Sequence, residues 1–409
     1  MPTLLQISIE VNSGSVGRIA EQIGQTVASQ GWESYITYAR NNLPSQSNVI
    51  KIGNKLDIYW HGVNTRLLDN HCLCSNRATK TLINRIEQIK PDIIQLHHIH
   101  GYYLNMVVLF NYFSTLDIPI VWIFHDCWAF TGHCAYFDNI GCNRWITGCN
   151  CCPQKGKYPA SKLFDRSRKN WDQKKQLFNS VPNMIIVPVS YWLGTMVEKS
   201  FLCNYPQFVI QNGIDTNIFR PVVNIEDIKN KYNIDNKFIL LGVASTWEER
   251  KGLKDFILLN SLIDKNVYKI VLVGLNRKQI KGLPKEIIGI ERTESVDELA
   301  TLYSIADIFI NPTWEDTFPT TNLESLACGT PVVTYRTGGS VESISEDVGI
   351  IVEKGNINEL YSSIKIIKEK GKNYYSVNCR EKAVRNFNRL DRFKDYLTLY
   401  NRLLDLHYE

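Results

Sequence analysis

The sequence contains no run of 18 apolar residues, no basic N-terminal stretch leading into a long apolar core, no low-complexity tract and no internal sequence repeat. The first absence argues against a spanning helix and the second against a secretory leader, so a cytoplasmic location is predicted. The other two argue against a disordered or solenoid chain. Charge of one sign is also scarce in excess: 46 Lys and Arg stand against 41 Asp and Glu, a formal net charge of +5. A balance that small predicts no general polyanion-binding surface. What is present is ordinary for a soluble globular protein, with 44% hydrophobic and 21% charged residues. At 409 residues the chain is long enough for two or three domains, each with its own core.

Apolar runs of strand length recur at Leu4 to Ile9, Glu33 to Ala39, Ile93 to Leu96, Ile118 to Phe124 and Met184 to Pro188. They are separated by segments long enough for crossover helices, which predicts a parallel sheet. The series resumes at Phe238 to Ala244, Ile270 to Val273, Ile308 to Ile310, Val332 to Tyr335 and Gly349 to Val352, with a hinge expected between Pro206 and Pro221. The predicted fold class is therefore α/β, built twice.

Residues 312–333 carry the most functional information. Pro312 ends an apolar strand because proline cannot donate to a ladder, and Pro319 is suited to open a helix. Leu323, Leu326 and Ala327 fall at helical spacing, and Gly329 is placed to terminate the helix. Glu324 then lies about 7 to 8 Å along the axis from Pro319. A ligand along the helix start would meet Asp316, the amides near Thr320, Thr321 and Asn322, and Glu324. Open parallel sheets bind nucleotides at such strand exits, and helix N-termini suit anions. An acidic helix start favoured only by the macrodipole is the alternative for this stretch taken alone.

The segment resembles the signature of the retaining, nucleotide-sugar-dependent glycosyltransferases of family 4, in which two acidic residues separated by seven others flank a phenylalanine-containing loop. Asp316, Phe318 and Glu324 match it, although Asp316 stands where the family usually has Glu. Asn212-Gly213-Ile214-Asp215 resembles the family's interdomain motif, and Val243 to Gly252 its next strand and loop. There Lys251 matches a diphosphate-binding Lys, while the family's Arg position falls on Thr246, with Arg250 as the nearby candidate substitute. Phe124-His125-Asp126 resembles the strand-end His-Asp of the first domain, Gly14 to Gly17 its glycine loop, and Phe393 to Tyr400 its closing helix. Taken singly, Gly14 and Gly17 also suit a tight turn, His125 a buried core histidine and Lys251 a solvated turn.

The resemblance implies the GT-B architecture, two Rossmann-like domains with parallel sheets facing across a cleft. It implies an acceptor-binding domain over 1–205, a nucleotide-sugar-binding domain over 206–387 and a helix over 388–409 crossing back to the first. The implied reaction moves a hexosyl group from a nucleoside diphosphate sugar to a saccharide or lipid-diphosphate-linked acceptor, with retention, in polysaccharide or lipopolysaccharide biosynthesis. His125, Lys251 and Asp316 would be catalytic. Gly14, Gly17, Arg250, Phe318, Thr320, Thr321, Asn322, Leu323 and Glu324 would bind substrate. No cofactor is implied for catalysis, and no nucleic acid partner. A sugar-nucleotide epimerase of the same architecture, or a non-enzymatic binding protein, are the alternatives.

Two further features belong to the first domain. Of 11 cysteines, Cys134, Cys142, Cys149, Cys151 and Cys152 crowd into an insertion at 127–153. In a chain without a secretory signal such density points to metal more readily than to a disulfide framework. Cys134, Cys142, Cys149 and Cys152 would form a closed, structural zinc site; free buried thiols and disulfides stay open. Residues 160–179 then read as a basic helix, with Leu163, Phe164, Trp171, Leu177 and Phe178 on one side. That pattern fits peripheral contact with an anionic membrane, or burial against the first domain.

Overall fold

The computed structural model describes residues 1–408 and divides into two compact units, residues 1–211 with 393–409 and residues 212–392. The first unit holds a six-stranded sheet of β1 (Thr3–Ile7), β2 (Glu33–Tyr38), β3 (Asn48–Lys51), β4 (Ile93–Leu96), β5 (Ile120–Phe124) and β6 (Met184–Pro188). Its order is β3-β2-β1-β4-β5-β6, and every pairing is parallel. The second unit repeats this plan with β7 (Phe238–Val243), β8 (Tyr268–Val273), β9 (Ile288–Ile290), β10 (Ile308–Asn311), β11 (Val332–Tyr335) and β12 (Gly349–Val352), in the order β12-β11-β10-β7-β8-β9. Both are doubly wound Rossmann-like sheets.

The central strands are buried on both faces, which is why they read as continuous runs rather than alternations: every residue of β1, β4, β5, β6, β10 and β11 is buried. In each sheet the first strand turns back on itself in order, with its successors on one side and the fourth strand on the other. That reversal, at β1/β4 and at β7/β10, opens a crevice at the carboxyl ends of the strands.

The sequence reading omits β3 and β9. β3 is a mostly exposed edge of four residues and β9 has only three, so neither builds an apolar signal. The last helix, Arg389–Tyr408, carries Phe393, Tyr396 and Tyr400 into the core, where the Tyr400 hydroxyl hydrogen-bonds Gln95 and its ring lies 6.0 Å from that of Trp32.

The basic helix is shorter than expected, Ser167–Phe178. Asp165 ends the preceding loop by accepting the Ser167 amide at 2.8 Å and the Cys152 amide at 2.6 Å, so Leu163 and Phe164 stay outside the helix and exposed. Its apolar face is not free. Trp171, Leu177 and Phe178 are buried, the last with its ring 4.4 Å from Phe110. Lys174 is buried with them, donating to the carbonyls of Trp128 and Thr131 at 2.6 and 3.0 Å, and burial pushes its pKa down to about 7.

Candidate active site

Three loops of the second unit converge at the β7/β10 reversal. After β7 the chain makes a single 3-10 turn, Glu249–Lys251, and passes through Gly252 at φ +76°. A Cβ there would stand 2.1 Å from the Pro312 carbonyl oxygen, so only glycine lets this loop lie against the exit of β10. The Arg250 carbonyl accepts the Trp314 amide at 2.7 Å, and the Arg250 guanidinium donates to the Glu315 carbonyl at 3.0 Å. Gly338, after β11, closes the third side: at φ +46°, a Cβ would stand 1.9 Å from the Asp316 carbonyl oxygen.

This packing sets Lys251 Nζ 2.5 Å from Asp316 Oδ2. Burial would raise the Asp316 pKa, but the Lys251 ammonium and the Arg250 guanidinium outweigh it and hold the carboxyl below its ordinary value. Beyond the loop, helix Thr320–Ala327 starts from Pro319, which is its N-cap rather than its first helical residue and supplies no side-chain cap. Proline lacks a polar side chain to meet the first amides, so the helix start offers Thr320 and Thr321 main-chain donors. Glu324 is oriented by the buried Tyr303, whose hydroxyl donates to Oε2 at 2.8 Å.

Three residues expected to bind substrate have side chains committed to the core. Leu323 is fully buried, Phe318 packs with its ring 6.0 Å from that of Phe387, and the Asn322 side chain accepts from Asn311 Nδ2 at 2.8 Å and donates to the Ser340 carbonyl at 3.1 Å. The helix stripe that anchors the loop must face inward. These three hold the loop in shape and can meet a ligand only through their main chain.

In the first unit, Gly14 (φ +63°) opens helix Gly14–Ala28, and its N-cap Ser13 makes no side-chain capping bond. Both Gly14 and Gly17 abut Glu10: a Cβ would stand 3.0 Å from Glu10 Oε2 at the one and 3.0 Å from the Glu10 carbonyl oxygen at the other. A carboxylate beside Gly14 suits a hydroxyl donor better than an anion.

His125 follows β5 and is buried, its Nε2 3.1 Å from His97 Nδ1 with the two rings stacked; His97 Nε2 lies 3.0 Å from Gln6 Oε1. Burial, then the neighbouring His98 and His97, push its pKa well below 6.5, so the ring is neutral at physiological pH. Asp126 faces His100 Nε2 at 3.0 Å and His98 Nε2 at 3.4 Å, and accepts the Trp128 amide at 2.9 Å. Burial would raise this carboxyl, but the two imidazoles and the amide keep it well below the usual range. The Tyr158 hydroxyl reaches His100 Nδ1 at 2.9 Å. His97, His98, His100 and Tyr158 escaped the sequence reading. The signal available was density, since three of the eight histidines in the chain fall within residues 97–100, directly after a strand.

Two groups have donor chemistry for a metal. Cys134, Cys142, Cys149 and Cys152 line one cavity of about 10 Å³ together with His133, Phe137 and Trp145. Among the described residues, the donor atoms of His98, His100 and Asp126 all lie within 4.8 Å of one another.

Comparison with known proteins agrees with this geometry. Residues 16–218 match the profile described as Glycosyltransferase Family 4, and residues 224–385 the one described as Glycosyl transferases group 1. A glycosyl transferase ascribed to colanic acid biosynthesis in Escherichia coli (strain K12) is 27% identical over 190 residues, 44% of this chain and 46% of that protein. The UDP-Gal:alpha-D-GlcNAc-diphosphoundecaprenol alpha-1,3-galactosyltransferase of Escherichia coli is 25% identical over 203 residues, 46% of this chain and 52% of that protein. The chain thus spans about half the length of the curated relatives it matches. Among solved structures, sucrose-phosphate synthase from Thermosynechococcus elongatus superposes with a TM-score of 0.74 at 15% identity, covering 99% of this chain and all of that one. Anabaena HepE in complex with UDP and glucose gives 0.70 at 15% identity over 97% and 99%. At such identity the structures establish a shared fold.

Proposed function

The chain belongs to the family 4 type of glycosyltransferases, and on that premise we propose that it moves a hexosyl residue from a nucleoside diphosphate sugar to a saccharide or lipid-linked saccharide acceptor, with retention of configuration. The observation that carries this is the Lys251–Asp316 pair at 2.5 Å, set at the β7/β10 reversal beside an uncapped helix start. Departure of the sugar leaves a nucleoside diphosphate whose developing charge needs fixed donors. Lys251, Arg250 and the amides of Thr320 and Thr321 supply them. When the diphosphate takes Lys251, Asp316 is released to accept from sugar hydroxyls. Glu324, steadied by Tyr303, accepts from the ribose. In the first unit taken by itself, His125 is neutral and stacked on His97, and Glu10 beside Gly14 can accept from a hydroxyl, which suits the binding of an uncharged saccharide.

A UDP-sugar is the first donor to try, since one relative is named for UDP-Gal and a structural neighbour holds UDP and glucose. Transfer from a panel of nucleotide sugars to a lipid-diphosphate-linked saccharide, with the product anomer read by NMR, tests the proposal. A product of inverted configuration, or turnover unchanged in Glu324→Ala, contradicts it.

An acceptor on a lipid diphosphate lies at a membrane, and one helix is built for that surface. In Lys55–Leu68 the buried residues are His61, Gly62 and Thr65, while Leu56, Tyr59, Trp60 and Leu67 point outward at helical spacing; Leu56 is 78% and Trp60 66% exposed. The helix is inside out for a water-facing element. The Lys162 amide bonds the Arg66 carbonyl at 2.7 Å, bringing the exposed Leu163 and Phe164 beside its end. With Lys55, Arg66 and Lys162 around this apolar surface, the occupant it fits is an anionic lipid face.

A further inference from the structure

We propose that Cys134, Cys142, Cys149 and Cys152 hold one structural metal ion, zinc by its donor set, which clips the 127–153 insertion into shape. The inference is independent of the transfer reaction. Three observations carry it. The four cysteines come from separate turns and line a single cavity of about 10 Å³, room for one water-sized body, whose remaining walls include Phe137, Ile140 and Trp145. Main-chain N–H groups are aimed at two of the sulfurs: the Gly132 amide donates to Cys149 Sγ at 3.2 Å, and the Gln154 amide to Cys152. N–H donors at sulfur are the support that a metal-bound thiolate uses. Finally, the insertion has only fragments of regular structure, Trp128–Phe130, Asp138–Ile140 and Arg144–Thr147, too little to hold itself. Cys151 is exposed and stands outside the set.

The His98, His100 and Asp126 group is the competing site. In it Asp126 already takes His100 Nε2 at 3.0 Å and the Trp128 amide at 2.9 Å, while His98 Nε2, 3.4 Å from the carboxylate, makes no hydrogen bond among the described residues. Cys134 and Cys152 already meet through a thiol–thiol hydrogen bond, and loading brings Cys142 and Cys149 to the roughly 3.8 Å sulfur separation of a tetrahedral thiolate site. The clip also has a reach. From Cys152, whose amide is held by Asp165 at 2.6 Å, the chain runs six residues to Tyr158, the hydroxyl that meets His100. A metal at the cysteines therefore fixes how Tyr158 approaches the His100–Asp126 pair.

The test is metal content by mass spectrometry of the full chain purified under reducing conditions, followed by replacement with cobalt(II) and a visible spectrum. One zinc per chain is expected, with cobalt giving the intense bands of tetrahedral thiolate coordination. The Cys149→Ser, Cys152→Ser variant should lose the metal, and His98→Ala, His100→Ala should keep it. Absence of stoichiometric metal, a cobalt spectrum without thiolate bands, or metal kept by the cysteine variant and lost by the histidine variant overturns the proposal. Where the cysteine variant does not fold, by circular dichroism, the cobalt spectrum of the unaltered chain decides alone.

Discussion

Replacing Lys251 with Met separates the two duties assigned to this side chain. Lys251 is mostly buried and its ammonium stands 2.5 Å from Asp316, so the change removes a desolvated cation and leaves a carboxylate among protein atoms. Loss of one preorganised donor to developing charge costs about 2.7 to 4 kcal/mol, roughly 10²- to 10³-fold in turnover. The first expectation is therefore a fall of that size in kcat for transfer, with weaker binding of the bare nucleoside diphosphate. Asp316→Asn should behave differently: it leaves the cation, so diphosphate binding is kept while kcat falls. The second expectation concerns pH. In the native chain Asp316 is held below its ordinary value of 3.8, so its contribution to stability is present above that value and is lost as pH falls through the lowered one. Without Lys251, burial is left as the largest influence and raises the carboxyl. The variant then gains stability, relative to the native chain, as the pH is lowered through the raised value. Donor kinetics, calorimetric titration with the nucleoside diphosphate and thermal melts from pH 3 to 8 read all of this. A Lys251→Met enzyme with near-normal kcat and unchanged diphosphate affinity would refute the reasoning.

Three other outcomes are expected. Tyr303→Phe removes the hydroxyl that orients Glu324 and should raise donor KM severalfold, for about 0.5 to 1.5 kcal/mol of a lost hydrogen bond, with kcat little changed; an unaltered KM would sever that link. The buried His61 and His97 and the partly buried His98 bind protons more weakly in the fold, desolvation pushing His61 and His98 down to about 4 and His97 to about 3. Their stabilisation is present above about 6.5, the ordinary value, and is lost progressively as pH falls toward these lowered values. Melting temperature should accordingly drop on acidification below pH 6.5, and a flat profile from 6.5 to 4 would contradict the burial. Leu56→Glu with Trp60→Glu should abolish sedimentation with anionic vesicles while changing stability by no more than about 0.5 kcal/mol per site, because both side chains are exposed. Vesicle binding that survives both changes would remove this helix from the membrane-facing surface.

The fold was legible where burial on both faces forces apolar runs: all ten of the strands read from sequence are present. It was illegible at the sheet edges, where Asn48–Lys51 and Ile288–Ile290 owe their conformation to a neighbouring strand rather than to their own pattern. In the candidate site, loop chemistry at Lys251, Asp316 and Glu324 could be read because proline and glycine punctuate it. The distinction between a residue that faces a ligand and one that braces the loop could not. Phe318, Asn322 and Leu323 share the same short stretch, and only the inward turn of the helix separates their side chains from Glu324. The histidine network stayed hidden for a related reason, since it joins the ends of β4 and β5, adjacent in space and 26 to 28 residues apart in sequence. The seven-residue spacing of apolar side chains over 163–178 misled, because Asp165 starts the helix late and turns two of them out into solvent.

The most direct trial of the central claim is a crystal structure of the chain soaked with a nucleoside diphosphate. The account predicts the diphosphate within hydrogen-bonding distance of Lys251 and the amides of Thr320 and Thr321, with the ribose hydroxyls on Glu324. A nucleotide bound elsewhere, with the Lys251–Asp316 pair undisturbed, would contradict it.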